Sequence, residues 1–159
     1  HYTAESPNRG YLMKTGREYS SRGDYMQAHP GRGRPGRGSL RHLRQIAKIC
    51  AREQIPLVLC SVPSAANWNG SRHNAIAKIA EELGVPYVDG NLEEIGIDWH
   101  TDSPDGGDHM NPSGAAKVTA WIGDYLRRNY DLPDRREDPA YENWNRDAED
   151  FRARVAAAE

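Results

Sequence analysis

The run Leu57-Val-Leu-Cys-Ser-Val62 is apolar at nearly every position and stops at Pro63. A strand with one wet face alternates apolar and polar residues. A strand covered on both faces does not, so this run predicts a parallel strand inside an α/β layer structure. The residues before it agree. Leu40, Leu43, Ile46, Ala47 and Cys50 recur at helical spacing and predict a helix over about 39–53. Ser39 is the expected N-cap, and Pro56 forces the helix to stop. A second unit repeats the plan. Ile76, Ile79, Ala80 and Leu83 mark a helix over 72–83, Gly84 closes it, and Val85-Pro-Tyr-Val-Asp89 reads as a short strand. Two helix-then-strand units with short joints predict right-handed crossovers in a parallel sheet.

The 159 residues suit one domain or a piece of one. Three zones are expected: a basic Gly/Pro/Arg-containing segment at 1–38, an α/β unit at 39–130, and a linker with an amphipathic helix at 131–159. In the first zone apolar residues have no period, and Gly and Pro recur through 29–38, so it reads as loop-like and poorly ordered. The net charge of −2 hides a layout. Residues 1–45 hold nine Lys/Arg against three Asp/Glu, and residues 131–159 hold five against nine. A near-neutral total gives no global pull toward nucleic acid. The Gly-Arg run is the one nucleic-acid signal. It lacks interleaved aromatics, so an extended surface loop is preferred to an RNA-associated module.

Asn111-Pro112 opens a third helix as N-cap and first residue, with Val118, Ile122, Tyr125 and Leu126 toward the core and an end near Tyr130. In the tail, Tyr141, Trp144, Ala148, Phe151 and Val155 form one stripe, expected to pack on the chain's own domain. Cys50 and Cys60 read as two buried thiols, which make no disulfide scaffold. No apolar run reaches the roughly 18 residues of a membrane span, and no signal peptide is visible; the compartment stays open.

Residues 90–111 are the chemical stretch. A loop longer than about 12–15 residues is usually functional or mobile. This one gathers Asp98, Asp102, Asp105, Asp108, His100 and His109 between a strand and a helix. Sites in open α/β sheets lie beyond the carboxyl ends of strands. A carboxylate beside a histidine fixes its tautomer and stabilises the imidazolium formed in base catalysis. Gly106 and Gly107 permit the turn that would bring Asp105 back to His109. The competing reading is a polar capping loop. A metal reading is weaker, since neither EF-hand spacing nor HExxH is present, so neither metal nor organic cofactor is expected. Trp68, Asn69, His73, Trp99 and Asn111 are candidate substrate contacts around the same cleft, the two tryptophans by stacking.

Asp105-Gly-Gly-Asp-His109-Met-Asn111-Pro-Ser-Gly114-Ala-Ala-Lys117-Val-Thr119 resembles the C-terminal block of the SGNH/GDSL hydrolase superfamily. Leu57–Ser64 and Asn74–Asp89 resemble the strand and the helix–strand unit that precede it, and the resemblance covers about 40–130. The branch it resembles is a bacterial one with Gly-Gly-Asp-His-Leu-Asn-type loops. The resemblance implies a flavodoxin-like parallel sheet with flanking helices. It also implies a Ser-His-Asp ester hydrolase or O-acyltransferase acting on an ester, such as an O-acylated carbohydrate. His109 would be the base, and Asp105 or Asp108 its partner. This sequence departs from the family pattern at three places. Asp105 stands four residues before His109 rather than three. No Gly-Asp-Ser-Leu-like nucleophile block follows a first strand, and no oxyanion-donor block precedes the core. Ser61 and Ser64 follow a strand but sit on no Gly-x-Ser-x-Gly elbow, so a turn role is expected for them. The expectation is therefore the C-terminal half of an SGNH-type domain, with the nucleophile on the other half or on a partner chain. A non-catalytic assembly or binding module is the alternative.

Overall fold

A computed structural model describes residues 11–19 and 23–158. The expectations for residues 1–10 and 20–22 lie outside the described residues. Element order is α1 (Arg37–Arg52), β1 (Leu59–Ser61), α2 (Gly70–Leu83), β2 (Tyr87–Asp89), α3 (Pro112–Asn129), a 3-10 turn (Pro139–Tyr141) and α4 (Glu142–Ala156). The α/β class stands in this coarse form: helices around a two-stranded parallel sheet, with Leu59 opposite Tyr87 and Ser61 opposite Asp89.

Local chemistry sets most boundaries. Asn69 opens α2 by accepting the Arg72 N–H (3.0 Å), and Gly84 closes it at φ 66°. Asn111 opens α3 by accepting the Gly114 N–H (3.1 Å), with Pro112 at the first helical position. Ser39 is not the N-cap of α1. Gly36, at φ −56° and ψ 137°, holds that place with no side-chain bond, so Arg37 and Gly38 already belong to the helix.

The sheet is less covered than the sequence implied. Leu59 N–H donates to Pro86 O, and Gly90 N–H donates to Ser61 O. Backbone groups alternate sides along a strand, so those of Cys60 point away from β2, to an open edge. Val62 is 53 % exposed, and Ile46 and Ile49 on α1 are about half exposed. The expected two-sided burial therefore fails: Cys60 is exposed, and Leu59 and Ser61 are only partly covered, while among the described residues β1 also pairs with β2 alone. The two thiols are likewise free rather than buried, Cys50 partly covered and Cys60 exposed. Among the described residues the buried apolar set is Ala65, Ala75, Ile79, Ala80 and Val118.

Part of the first zone is an ordered strap rather than a loose loop. Glu18 N–H donates to Ser103 O (2.9 Å), and Gly106 N–H donates to Glu18 O (3.0 Å). Tyr19 stacks on His100 at 3.6 Å, and Tyr25 meets Trp99 edge to face. The tail helix packs through its second half. Phe151 meets Tyr11 edge to face, and Val155 shares a cavity of about 270 Å³ with Gly16 and Pro112. Tyr141 and Trp144, in the first half of the stripe, stay 41 % and 54 % exposed. No helix among the described residues is long and apolar enough to cross a membrane.

Candidate active site: a histidine gripped by Asp105

The loop between β2 and α3 is built on a buried carboxylate. Asp102 is fully buried and accepts from Asp98 N–H (2.8 Å), Ser113 Oγ (2.8 Å) and Lys117 Nζ (2.6 Å). Burial pushes its carboxyl up, but these donors, Lys117 foremost, outweigh burial and hold it below the usual range. Its carbonyl accepts Asn111 N–H, which ties the loop's start to the first turn of α3. Ser103, also fully buried, accepts Gly107 N–H on its hydroxyl (2.8 Å).

Gly106 and Gly107 follow with φ of 69° and 98°, where a side chain would be strained. That turn carries the chain back so that Asp105 meets His109 twice. Asp105 Oδ1 accepts the His109 backbone N–H (2.8 Å), and Asp105 Oδ2 lies 2.6 Å from the ring Nδ1. Asp108 Oδ2 is farther, at 3.4 Å, and its other oxygen accepts from Asn67 Nδ2. The structure thus pairs the histidine with Asp105, although both carboxylates are near. Burial pushes the Asp105 carboxyl up. The His109 backbone N–H, its ring and Lys14 outweigh that and bring it down to about 2.

Lys14, from the strap, was not foreseen. Its ammonium lies 3.4 Å from Asp105 Oδ2 and 3.2 Å from His109 Nδ1. With the ring N–H donated to Asp105, Lys14 acts there as a charge rather than as a donor to nitrogen. Asp105, Asp108 and His109 each offer a ligand atom within 4.8 Å of the others. The Lys14 ammonium already stands among those atoms, so the cluster is read as an acid–base pair.

The other sequence candidates are brought together elsewhere. Asp89, at the carboxyl end of β2, is buried and collects Trp68 Nε1 (2.9 Å), His73 Nδ1 (2.7 Å), Tyr87 OH (2.9 Å) and Asn91 Nδ2 (2.7 Å). Burial raises its carboxyl, and Asn91, His73 and Trp68 more than reverse that. Burial, then the Asp89 charge, pushes the Tyr25 hydroxyl up to about 12. Trp68 and His73 are therefore anchors of a buried carboxylate. Asn69 is spent as a cap. Asn111 is buried, and its Nδ2 donates to Gly16 O (2.9 Å) and Thr101 O (2.7 Å). Trp99 packs against Tyr25 and the Gly107 turn. Ser64 Oγ donates to Gly107 O and accepts Asn67 N–H, the expected turn role, and Ser61 pairs with Tyr87 OH.

His109 opens instead on a cavity of about 560 Å³ that none of those five substrate candidates lines. Its walls include Leu12, Val62, Pro63, Met110 and Val118. Asp89 had a sequence signal, an acid ending a strand beside Asn91. Lys14 had none. Among the described residues no serine hydroxyl is hydrogen-bonded to the His109 ring. No protein-family model, curated protein or solved structure matches this chain.

Proposed function

We propose that this chain supplies the His/Asp half of an SGNH-type ester hydrolase or O-acyltransferase, with the serine nucleophile outside these residues. The observation that carries the reading is the double grip of Asp105 on His109, at the ring Nδ1 and at the backbone N–H. It fixes the ring's plane and tautomer and leaves Nε2 as the basic nitrogen. In the reaction the serine oxygen bonds to the ester carbonyl carbon while its proton passes to Nε2. The imidazolium then gives that proton to the departing alkoxide, leaving an acyl-serine. Water, or a sugar hydroxyl, repeats the exchange and restores the serine. Asp105, already ionised, balances the ring's positive charge at each stage. The flavodoxin-like architecture belongs to the same proposal. It is supported by the parallel β1–β2 pair and by the position of His109 beyond the strands' carboxyl ends.

The test uses the intact protein purified natively. A fluorophosphonate probe is expected to label a serine outside these 159 residues. His109→Ala is expected to lower ester turnover by about 10³-fold or more. Full turnover in that variant, or esterase activity from a lone 17.8 kDa chain, refutes the reading. That no serine among the described residues is hydrogen-bonded to the His109 ring favours one other reading, a non-catalytic binding module. It predicts no probe labelling and no effect of His109→Ala on partner binding.

A further inference from the structure

We infer that the cavity beside His109 is a binding site for an apolar acyl chain. The inference rests on the hydrolase reading and names the substrate class of that site. The volume, about 560 Å³, falls in the range of small-molecule pockets. Six of its wall residues, Leu12, Val62, Pro63, Met110, Ala115 and Val118, are apolar. The His109 imidazole shares the wall with two charged residues, Lys14 and Asp108. Both lie within 3.4 Å of the His109 ring, so charge is confined to one part of the wall. The site is amphipathic in the way an ester is: a polar group at the acid–base pair, a hydrocarbon body beyond it. Sugar hydroxyls need hydrogen-bonding side chains and aromatic faces. Tyr11, the aromatic ring in the wall, is engaged edge to face by Phe151, and the tryptophans that could stack on a sugar are elsewhere, Trp68 on Asp89 and Trp99 on Tyr25. Leu12 is 76 % exposed and Val62 53 % exposed, so apolar wall stays wet until something apolar covers it.

Methyl octanoate and methyl acetate, titrated into this chain and followed at the Met110 and Val118 methyl signals by NMR, test the site apart from catalysis. Each fully buried methylene contributes roughly fourfold in affinity, so six added methylenes about half covered give roughly 60-fold tighter binding of the octanoate ester. Ala115→Phe fills the cavity and is expected to weaken that binding by about tenfold or more. Leu12→Ser, at a position exposed enough to spare the fold, is expected to weaken it less. Equal binding of the two esters overturns the inference, as does octanoate binding untouched by both variants. Self-association of the chain that Leu12→Ser disperses, with no ester bound, makes this face a protein seam and also overturns it. Octanoate ester bound in the cavity while the intact protein shows no esterase activity keeps the site and sinks the hydrolase reading. Activity without cavity binding does the reverse.

Discussion

Gly114→Ala sets two effects of opposite sign against each other at the root of the loop between β2 and α3. Gly114 is the third residue of α3 and is buried. Alanine is the better helix former, worth up to about 1 kcal/mol in a helix interior and less in a first turn. The added Cβ would lie 2.5 Å from the Asp102 carbonyl oxygen, 2.8 Å from Met110 Sδ and 3.0 Å from Asp102 Cβ. The methionine can swing aside; the carbonyl cannot do so freely. Asp102 is held by Ser113, Lys117 and Asp98 N–H, and its carbonyl accepts Asn111 N–H. The clash therefore displaces either the loop or the first turn of α3. Overpacking of this kind costs about 1–3 kcal/mol, and the fixed partner places this case near the upper end. Net of helix propensity, the loss is about 2 kcal/mol. For a chain of this length that lowers the thermal midpoint by about 4–8 °C. Thermal unfolding followed by circular dichroism reads it directly. A midpoint equal to or above the parent's would mean that propensity wins, and that Asp102 does not hold the loop as described.

Asp105 gives a pH signature. Its carboxyl is lowered from 3.8 to about 2, so the folded state binds this proton less readily than the unfolded chain does. The resulting stabilisation is complete above about pH 4 and is lost as pH falls through about 2. Asp105→Asn should remove stability above pH 4 and make unfolding less pH-dependent between 4 and 2; identical acid-unfolding curves would contradict the pairing. Trp68→Phe should cost about 1–3 kcal/mol in urea unfolding, by taking one donor from the buried Asp89. The same change should leave ester turnover near the parent's, where a substrate-stacking role would lower it.

The parts of this molecule visible in its sequence are those set by neighbours along the chain. Asn111-Pro112 and Gly84 act within a turn of themselves, and the structure uses each as its residue type demands. The Gly106-Gly107 turn is equally local, and with it the approach of Asp105 to His109. What escaped was set at long range. Lys14 reaches His109 across 95 residues, and nothing in an aperiodic Gly-containing strap announces such a contact. The substrate candidates went elsewhere for a related reason. Trp68 and His73 sit near one another in the fold, but a buried carboxylate at the end of β2 needs donors more than a cleft needs a lining. An acid placed at a strand's carboxyl end can hold loops together as readily as it can catalyse. Asp89 is placed with the first kind by the four donors it collects, from Trp68, His73, Tyr87 and Asn91.

The apolar run that first identified β1 was a statement about an environment, and the described chain supplies half of it. Leu59 and Ser61 exchange backbone bonds with β2, while the N–H and C=O of Cys60 face an open edge. Just past that strand and on α1, Val62, Ile46 and Ile49 remain about half wet. An edge strand in a finished sheet is normally blunted by charge, proline or a covering element. Here Leu57–Val62 carries no charged residue and no proline within it; Pro56 and Pro63 stand at its two ends. Such a sequence is written for an interior strand. The proposed nucleophile half would make it one, adding a strand at Cys60 and covering Ile46 and Ile49 with the elements around it. Val62 and Pro63, the residues that leave β1, also line the His109 cavity. A parallel strand added at that edge would therefore end on the same rim as Asp105 and His109, which is where the proposed chemistry needs its serine.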